Sequence, residues 1–134
     1  MKFKNILVIG ALPKDDSGKQ LYESISSVSS SYGSEVHTPI ETAAFQGTTG
    51  ERYDRAFRTV LDSDLVIAEM SFPSTGQGME IREAAVLKRP LVVVAKEGSK
   101  VSGLIKGCPV LKSIIYYSDL DDLKKQLDDW FKSY

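Results

Sequence analysis

Short runs of unbroken apolar residues recur along the chain, each too brief for a helix and too apolar to keep a wet face. Ile6-Leu7-Val8-Ile9, Leu65-Val66-Ile67-Ala68 and Leu91-Val92-Val93-Val94-Ala95 are the clearest. A strand sends alternate side chains to opposite faces, so a run with no polar alternation must be covered on both. The stretches between these runs place apolar residues at helical spacing, as Leu21, Ile25, Val28 and Tyr32 do. Strands that alternate with helices, and need cover on both faces, predict an α/β fold. The expected architecture is a Rossmann-like or flavodoxin-like three-layer sandwich, a five-stranded, mostly parallel sheet with helices on both faces and right-handed crossovers. No repeat or linker interrupts the pattern, so residues 1–134 read as a single domain.

The expected strands are Phe3–Ile9, Glu35–His37, Leu65–Glu69, Pro90–Ala95 and Ser113–Tyr117. The expected helices are Ser17–Tyr32, Glu51–Asp62, Gly78–Lys88 and Ser118–Phe131, with a short helical turn over Lys100–Lys106. Gly33 is expected to cap the first helix at its C-terminus. Ser118-x-x-Asp121 is expected to cap the last at its start. Residues 39–50 read as a loop long enough to be functional.

Composition narrows the partners. The net charge of −1 leaves no basic footprint for nucleic acid or an anionic membrane. No apolar run nears the ~20 residues of a membrane helix. The apolar N-terminal segment runs into Pro13 and Lys14-Asp15-Asp16 without a small-x-small cleavage site, so it reads as a strand and not as a signal peptide. Cys108 is the only cysteine, which fits a reducing compartment and a cytoplasmic location. His37 is the only histidine, and with no cysteine partner it argues against a metal site.

In such a sheet, ligands bind beyond the carboxyl ends of the strands. Loops after Ile9, Glu69 and Ala95 meet that edge. The second is the most distinctive. It carries Pro73, Ser74, Gly76 and Gly78 and leads into a helical pattern from Met79. Free N–H groups and the dipole at a helix start attract anions, phosphate among them. The sequence has neither the Gly-Lys-Ser/Thr ending of a P-loop nor the G-x-G-x-x-G dinucleotide spacing. Glu80 is expected in the first helical turn, where the dipole favours the ionised form by roughly 0.3–1 kcal/mol. An ionised carboxylate facing a pocket can attack a sugar's anomeric carbon. On spacing alone, an ordinary surface carboxylate is the commoner case. Glu69, at the end of its strand, either lines the same pocket or pairs with a nearby cation.

The run from Asp64 to Ile81, with Pro73-Ser74, Gly76-Gln77-Gly78-Met79-Glu80 and then Ala84-Ala85, resembles the signature of the nucleoside 2-deoxyribosyltransferase family. It is most similar to the 2′-deoxynucleoside 5′-phosphate N-hydrolase branch. The resemblance implies a homodimer or larger assembly that cleaves the N-glycosidic bond of a (2′-deoxy)nucleoside 5′-monophosphate without metal or cofactor. It implies that Glu80 is the nucleophile. It implies that Ser74, Gly76 and Gly78 meet the 5′-phosphate, that Ser102 reaches a phosphate from the neighbouring subunit, and that Gly10 ends the first strand. The transferases carry an aspartate where Ser74 stands.

Two departures accompany the match. Gly10-Ala11-Leu12-Pro13 stands where the hydrolases show Gly-Ser-Ile-Arg, leaving Lys14 to supply charge as a point cation. Ala56 stands where the family places an aspartate that assists departure of the base. Asp54, two residues earlier and about 200° round the helix, is the nearest substitute. Two other outcomes stay open from these departures: a nucleotide-binding module with weak chemistry, and deoxyribosyl transfer between bases.

Overall fold

The computed structural model describes residues 2–134. The chain runs β1 (Phe3–Ile9), α1 (Asp16–Ser29), β2 (Gly33–His37), α2 (Pro39–Ala44), α3 (Thr49–Asp62), β3 (Leu65–Glu69), α4 (Thr75–Val86), β4 (Leu91–Lys96), α5 (Gly103–Lys106), β5 (Leu111–Tyr117) and α6 (Leu120–Ser133). The strands form one sheet in the order β2-β1-β3-β4-β5, and every neighbouring pair is parallel. The α/β sandwich expected from the apolar runs is therefore present, with an all-parallel sheet.

The unbroken runs divide between two cores as a period of two requires. Ile6, Val8, Ile67, Val92 and Val94 pack on one face with Ile25 of α1 and Leu123, Leu127 and Phe131 of α6. Leu7, Ile9, Val66, Ala68, Val93 and Ala95 pack on the other with Val60 of α3 and Ile81 and Ala84 of α4. Register fixes this partition: Ile6 opposes Leu65 and Ile9 opposes Ala68 across β1 and β3, so a one-residue slip would exchange the two cores. Each fully buried aliphatic side chain contributes about 1.5–3 kcal/mol by leaving water.

Several boundaries differ from the sequence reading. Gly33 does not cap α1 but opens β2, and a Cβ there would press into the Ile6 side chain at 2.6 Å. Residues 39–44 are helical: Thr38 caps the segment through Ile40 N at 3.3 Å, and Pro39 presets the first turn. The cap of α6 is Asp119, which accepts from Asp122 N at 2.8 Å, in place of Ser118. Most consequentially, α4 begins at Thr75 and not at Met79. Gly76 and Gly78 therefore lie inside a helix whose cap is Ser74.

The order of strands places the site. The chain moves from β1 outward to β2, then returns across β1 to β3. Helices that follow β1 and β3 lie on opposite faces, so the loops leaving these adjacent strands diverge and open a crevice. Among the described residues no helix is long and apolar enough to cross a membrane.

Candidate active site

A cavity of about 590 Å³ opens where the loops after β1 and β3 part. Its floor is Leu7, Val8 and Ile9 of β1, and Gly10, Ala11, Leu12 and Lys14 form one rim. The start of α4 forms a second wall, with Ser74, Gly76, Gln77 and Glu80. The third wall comes from α2 and α3, with Thr42, Phe45, Arg52, Arg55, Ala56 and Thr59.

The α4 wall is built by a capping box. Ser74 Oγ accepts from Gln77 N at 3.4 Å, and Ser74 N donates to Gln77 Oε1 at 2.7 Å. The first helical amides, those of Thr75 and Gly76, have no partner within the helix by its geometry, and Gly76 lines the cavity. A Cβ on Gly76 would enter open space, so a ligand can come against the backbone there. Gly78 also borders open space but does not line the cavity.

Glu80 is the sixth helical residue, a turn deeper than the sequence reading put it. The helix dipole weakens beyond the first turn. Burial then decides, and it pushes the Glu80 carboxyl up from 4.5 to about 7. The expectation of a dipole-ionised carboxylate is replaced by that of a group near half-protonation at neutral pH. A carboxyl so poised in a cleft is a candidate for chemistry.

Of the other residues singled out in the sequence, Gly10, Lys14, Ser74 and Gly76 come together with Glu80 around this cavity. Asp54 does not. It is exposed on α3, while the face turned to the cavity is Arg52, Arg55, Ala56 and Thr59. Ser102 caps α5, accepting from Leu104 N at 3.2 Å, and stands exposed outside the cavity. His37 lies between Glu41 and Glu35, at 3.0 and 3.4 Å.

Arg52 and Arg55 are the residues the sequence reading missed. Their signal was present: positions 52, 55, 56 and 59 follow the i, i+3, i+4, i+7 spacing of one helix face. Arg55 is held in place. Its Nη1 donates to Thr42 Oγ1 at 3.2 Å, its guanidinium lies 5.2 Å over the Phe45 ring, and Nη2 is 3.9 Å from Glu41 Oε2.

Among the described residues Glu69 pairs with no cation. It is 2% exposed, accepts from Ser71 N at 2.7 Å and Ser71 Oγ at 2.9 Å, and receives the Tyr117 hydroxyl at 2.6 Å. Burial and the Glu69 charge raise the Tyr22 and Tyr117 hydroxyls far above their usual range, so both stay protonated.

No family model matches the chain. Curated proteins do. A Methanosarcina barkeri protein named "Putative 2′-deoxynucleoside 5′-phosphate N-hydrolase 1" is 34% identical over 92 residues, which is 68% of this chain and 58% of that one. One of the same name from Thermofilum pendens is 31% identical over 84 residues, 60% of this chain and 59% of its own length. The chain is thus similar in sequence to curated proteins named as 2′-deoxynucleoside 5′-phosphate N-hydrolases. A 5-hydroxymethyl-dUMP N-hydrolase of Tetraodon nigroviridis is 29% identical over 91 residues, covering 64% of each chain. The chain spans less than two thirds of the length of these curated proteins.

Solved structures agree on the fold. Clostridium botulinum CMP N-glycosidase BcmB superposes with a TM-score of 0.75 at 18% identity, over 95% of this chain and 99% of that one. A 2-deoxyribosyltransferase from Bacillus psychrosaccharolyticus superposes with a TM-score of 0.67 at 14% identity, over 92% and 95%.

Proposed function

We propose that the protein hydrolyses the N-glycosidic bond of a (2′-deoxy)nucleoside 5′-monophosphate, with Glu80 as the nucleophile. The observation that carries this is the half-buried Glu80 carboxyl in one cavity with the capped start of α4, one turn away. The names of the sequence relatives support the same substrate class.

The 5′-phosphate meets the Thr75 and Gly76 amides, the Ser74 hydroxyl and the Lys14 ammonium at the rim. That anchoring places C1′ of the sugar over Glu80, converting the attack into an intramolecular step. A Glu80 oxygen bonds to C1′ as the C1′–N bond breaks, and the electron pair leaves with the base. Water then adds to C1′, the glycosyl ester opens, and Glu80 is released as a carboxylate. The products are free base and sugar phosphate. Two displacements at one carbon retain its configuration.

A homodimer completes the proposal. Ser102 and the exposed Leu104, at 88%, lie on a surface away from the chain's own cavity, where a second copy can use them. A second reading, nucleotide binding with little turnover, draws on Ala56, which leaves the α3 wall without a carboxyl group.

The test is base release, followed by chromatography, from a panel of nucleoside monophosphates. Release that Glu80→Gln abolishes is expected. Thermal stabilisation by nucleotides with no release from any of them supports the second reading. Release that survives Glu80→Gln removes Glu80 from its role.

A further inference from the structure

The α3 wall has an unexpected charge for the base end of a glycosidase pocket. Its four cavity residues are Arg52, Arg55, Ala56 and Thr59, with no proton-donating acid among them. Among the described residues, Glu80 is the only carboxyl group lining the cavity. If Glu80 bonds to carbon, no second carboxylic acid remains there to protonate the departing base.

The cavity's layout assigns its ends. Lys14, Ser74 and Gly76 form the anion end, Glu80 lies a turn further along α4, and α2 and α3 close the remaining side. A nucleotide with its phosphate at the first and C1′ at the second has its base against the third. There it meets the Arg55 guanidinium, braced by Thr42 and Phe45. A guanidinium does not give up a proton near neutral pH, so it cannot serve as the acid. It presents five N–H donors, of which Thr42 takes one, and so it can donate to a ring carbonyl oxygen that gains negative charge.

Resting on the N-glycosidase reading above, we infer that Arg55, assisted by Arg52, stabilises a base that leaves as an anion, and that the pocket therefore selects 2,4-dioxopyrimidine nucleotides over amino-substituted bases. When C1′–N1 breaks, the electron pair stays on N1 and spreads to the two ring carbonyl oxygens. The guanidinium meets that charge as it develops, which is where fixed donors act most strongly. The anion takes its proton from water after departure, and the water that resolves the glycosyl ester balances it. Adenine, guanine and cytosine leave more readily when a ring nitrogen is protonated first, and this wall offers no donor acid for that.

The experiment measures kcat and KM for 2′-deoxyuridine, 2′-deoxycytidine, 2′-deoxyadenosine and 2′-deoxyguanosine 5′-monophosphates. The 5-fluoro and 5-methyl analogues of the first are included. We expect the dioxopyrimidines to turn over at least about tenfold faster, with the more acidic 5-fluorouracil leaving fastest. Arg55→Ala should lower kcat by about 10²-fold with little change in KM. Arg55→Lys should recover only part of that loss, because a compact ammonium is not braced by Thr42 and Phe45 as the planar guanidinium is. 2-Deoxyribose 5-phosphate should protect Arg55→Ala from heat as well as it protects the unaltered protein. Faster release of amino bases overturns the inference and leaves the N-glycosidase reading standing. Loss of sugar-phosphate protection in Arg55→Ala also overturns it, since the guanidinium then holds phosphate. Absence of release from every nucleotide overturns both. If Arg55→Ala does not fold, Arg52→Ala is measured on the same axes, and the substrate ranking needs no variant.

Discussion

Gln77 Nε2 donates a 2.7 Å hydrogen bond to the main-chain carbonyl of Glu69, tying the last residue of β3 to the first turn of α4. The other end of the same side chain accepts from Ser74 N at 2.7 Å, and Gln77 is only 1% exposed. One buried amide thus spans the loop that carries the proposed phosphate site. Gln77→Ala is expected to cost about 1–3 kcal/mol, because it leaves a buried carbonyl unpaired. Gln77→Glu should cost at least as much at pH 8, where a carboxylate would face that carbonyl. Its penalty should shrink at pH 5, where the protonated acid can donate. Denaturant midpoints at the two pH values check both, and a penalty for Gln77→Glu that does not depend on pH would remove the Glu69 bond as its cause.

The raised Glu80 carboxyl sets a pH profile. A nucleophile must be ionised, so kcat/KM is expected to climb with pH and level off above about 7. Stability runs the other way. The unfolded chain loses this proton near 4.5 and the folded chain near 7, so between those values the folded state binds more protons. Folding therefore weakens as pH rises through the window. The full effect is on the order of 2 kcal/mol after allowance for water reaching the half-buried carboxyl. Glu80→Gln should remove that slope and be the more stable protein at pH 8. Equal pH slopes for the two proteins in chemical denaturation would contradict the burial of this group.

The layer architecture and the identity of the cavity's α4 wall were readable in the sequence for one reason. Unbroken β-branched runs admit few environments, and Ser74 with Gly76 marks a helix start wherever the register falls. The register itself was not readable. The sequence reading puts Gly76 and Gly78 in the turn before the helical pattern, yet both are tolerated inside α4 because the Ser74–Gln77 box and burial of Gln77 outweigh their cost of about 1 kcal/mol each. That shift carried Glu80 out of the first turn and reversed the direction expected for its pKa. Arg52 and Arg55 were passed over because α3 was read from its apolar side. Its other face becomes a wall only when the sheet order sets it beside β1.

Lys14 separates binding from folding. It is exposed on the rim, on a segment outside helix and strand, so Lys14→Ala should change stability by no more than about 0.5 kcal/mol. A charge-assisted contact to phosphate is worth about 1.5–3 kcal/mol, so KM for monophosphates should rise roughly tenfold or more. Hydrolysis of the corresponding free nucleosides, slow as it is expected to be, should not change. Steady-state kinetics on both substrate classes distinguish this from general damage, and a KM unaffected by the substitution places the phosphate elsewhere.

Gly10 links the rim to the opposite core. A Cβ on Gly10 would collide with the hydroxyl of Tyr22 and lie 3.1 Å from two ring carbons. That ring is 3% exposed and packs in the α1 and α6 core, and its hydroxyl donates to Ala11 O at 2.5 Å. Gly10→Ala must therefore displace either the ring or the loop that bears Lys14. A cost of about 1–3 kcal/mol is expected from overpacking. Tyr22→Phe alone should cost about 1 kcal/mol through the lost hydrogen bond. In the double variant the hydroxyl that collides is gone, so the combined loss should be smaller than the sum of the two by about 0.5 kcal/mol or more. The remaining ring contacts keep it above zero. A thermodynamic cycle over the four proteins measures this coupling, and strict additivity would mean that Gly10 is required for some reason other than the approach of Tyr22.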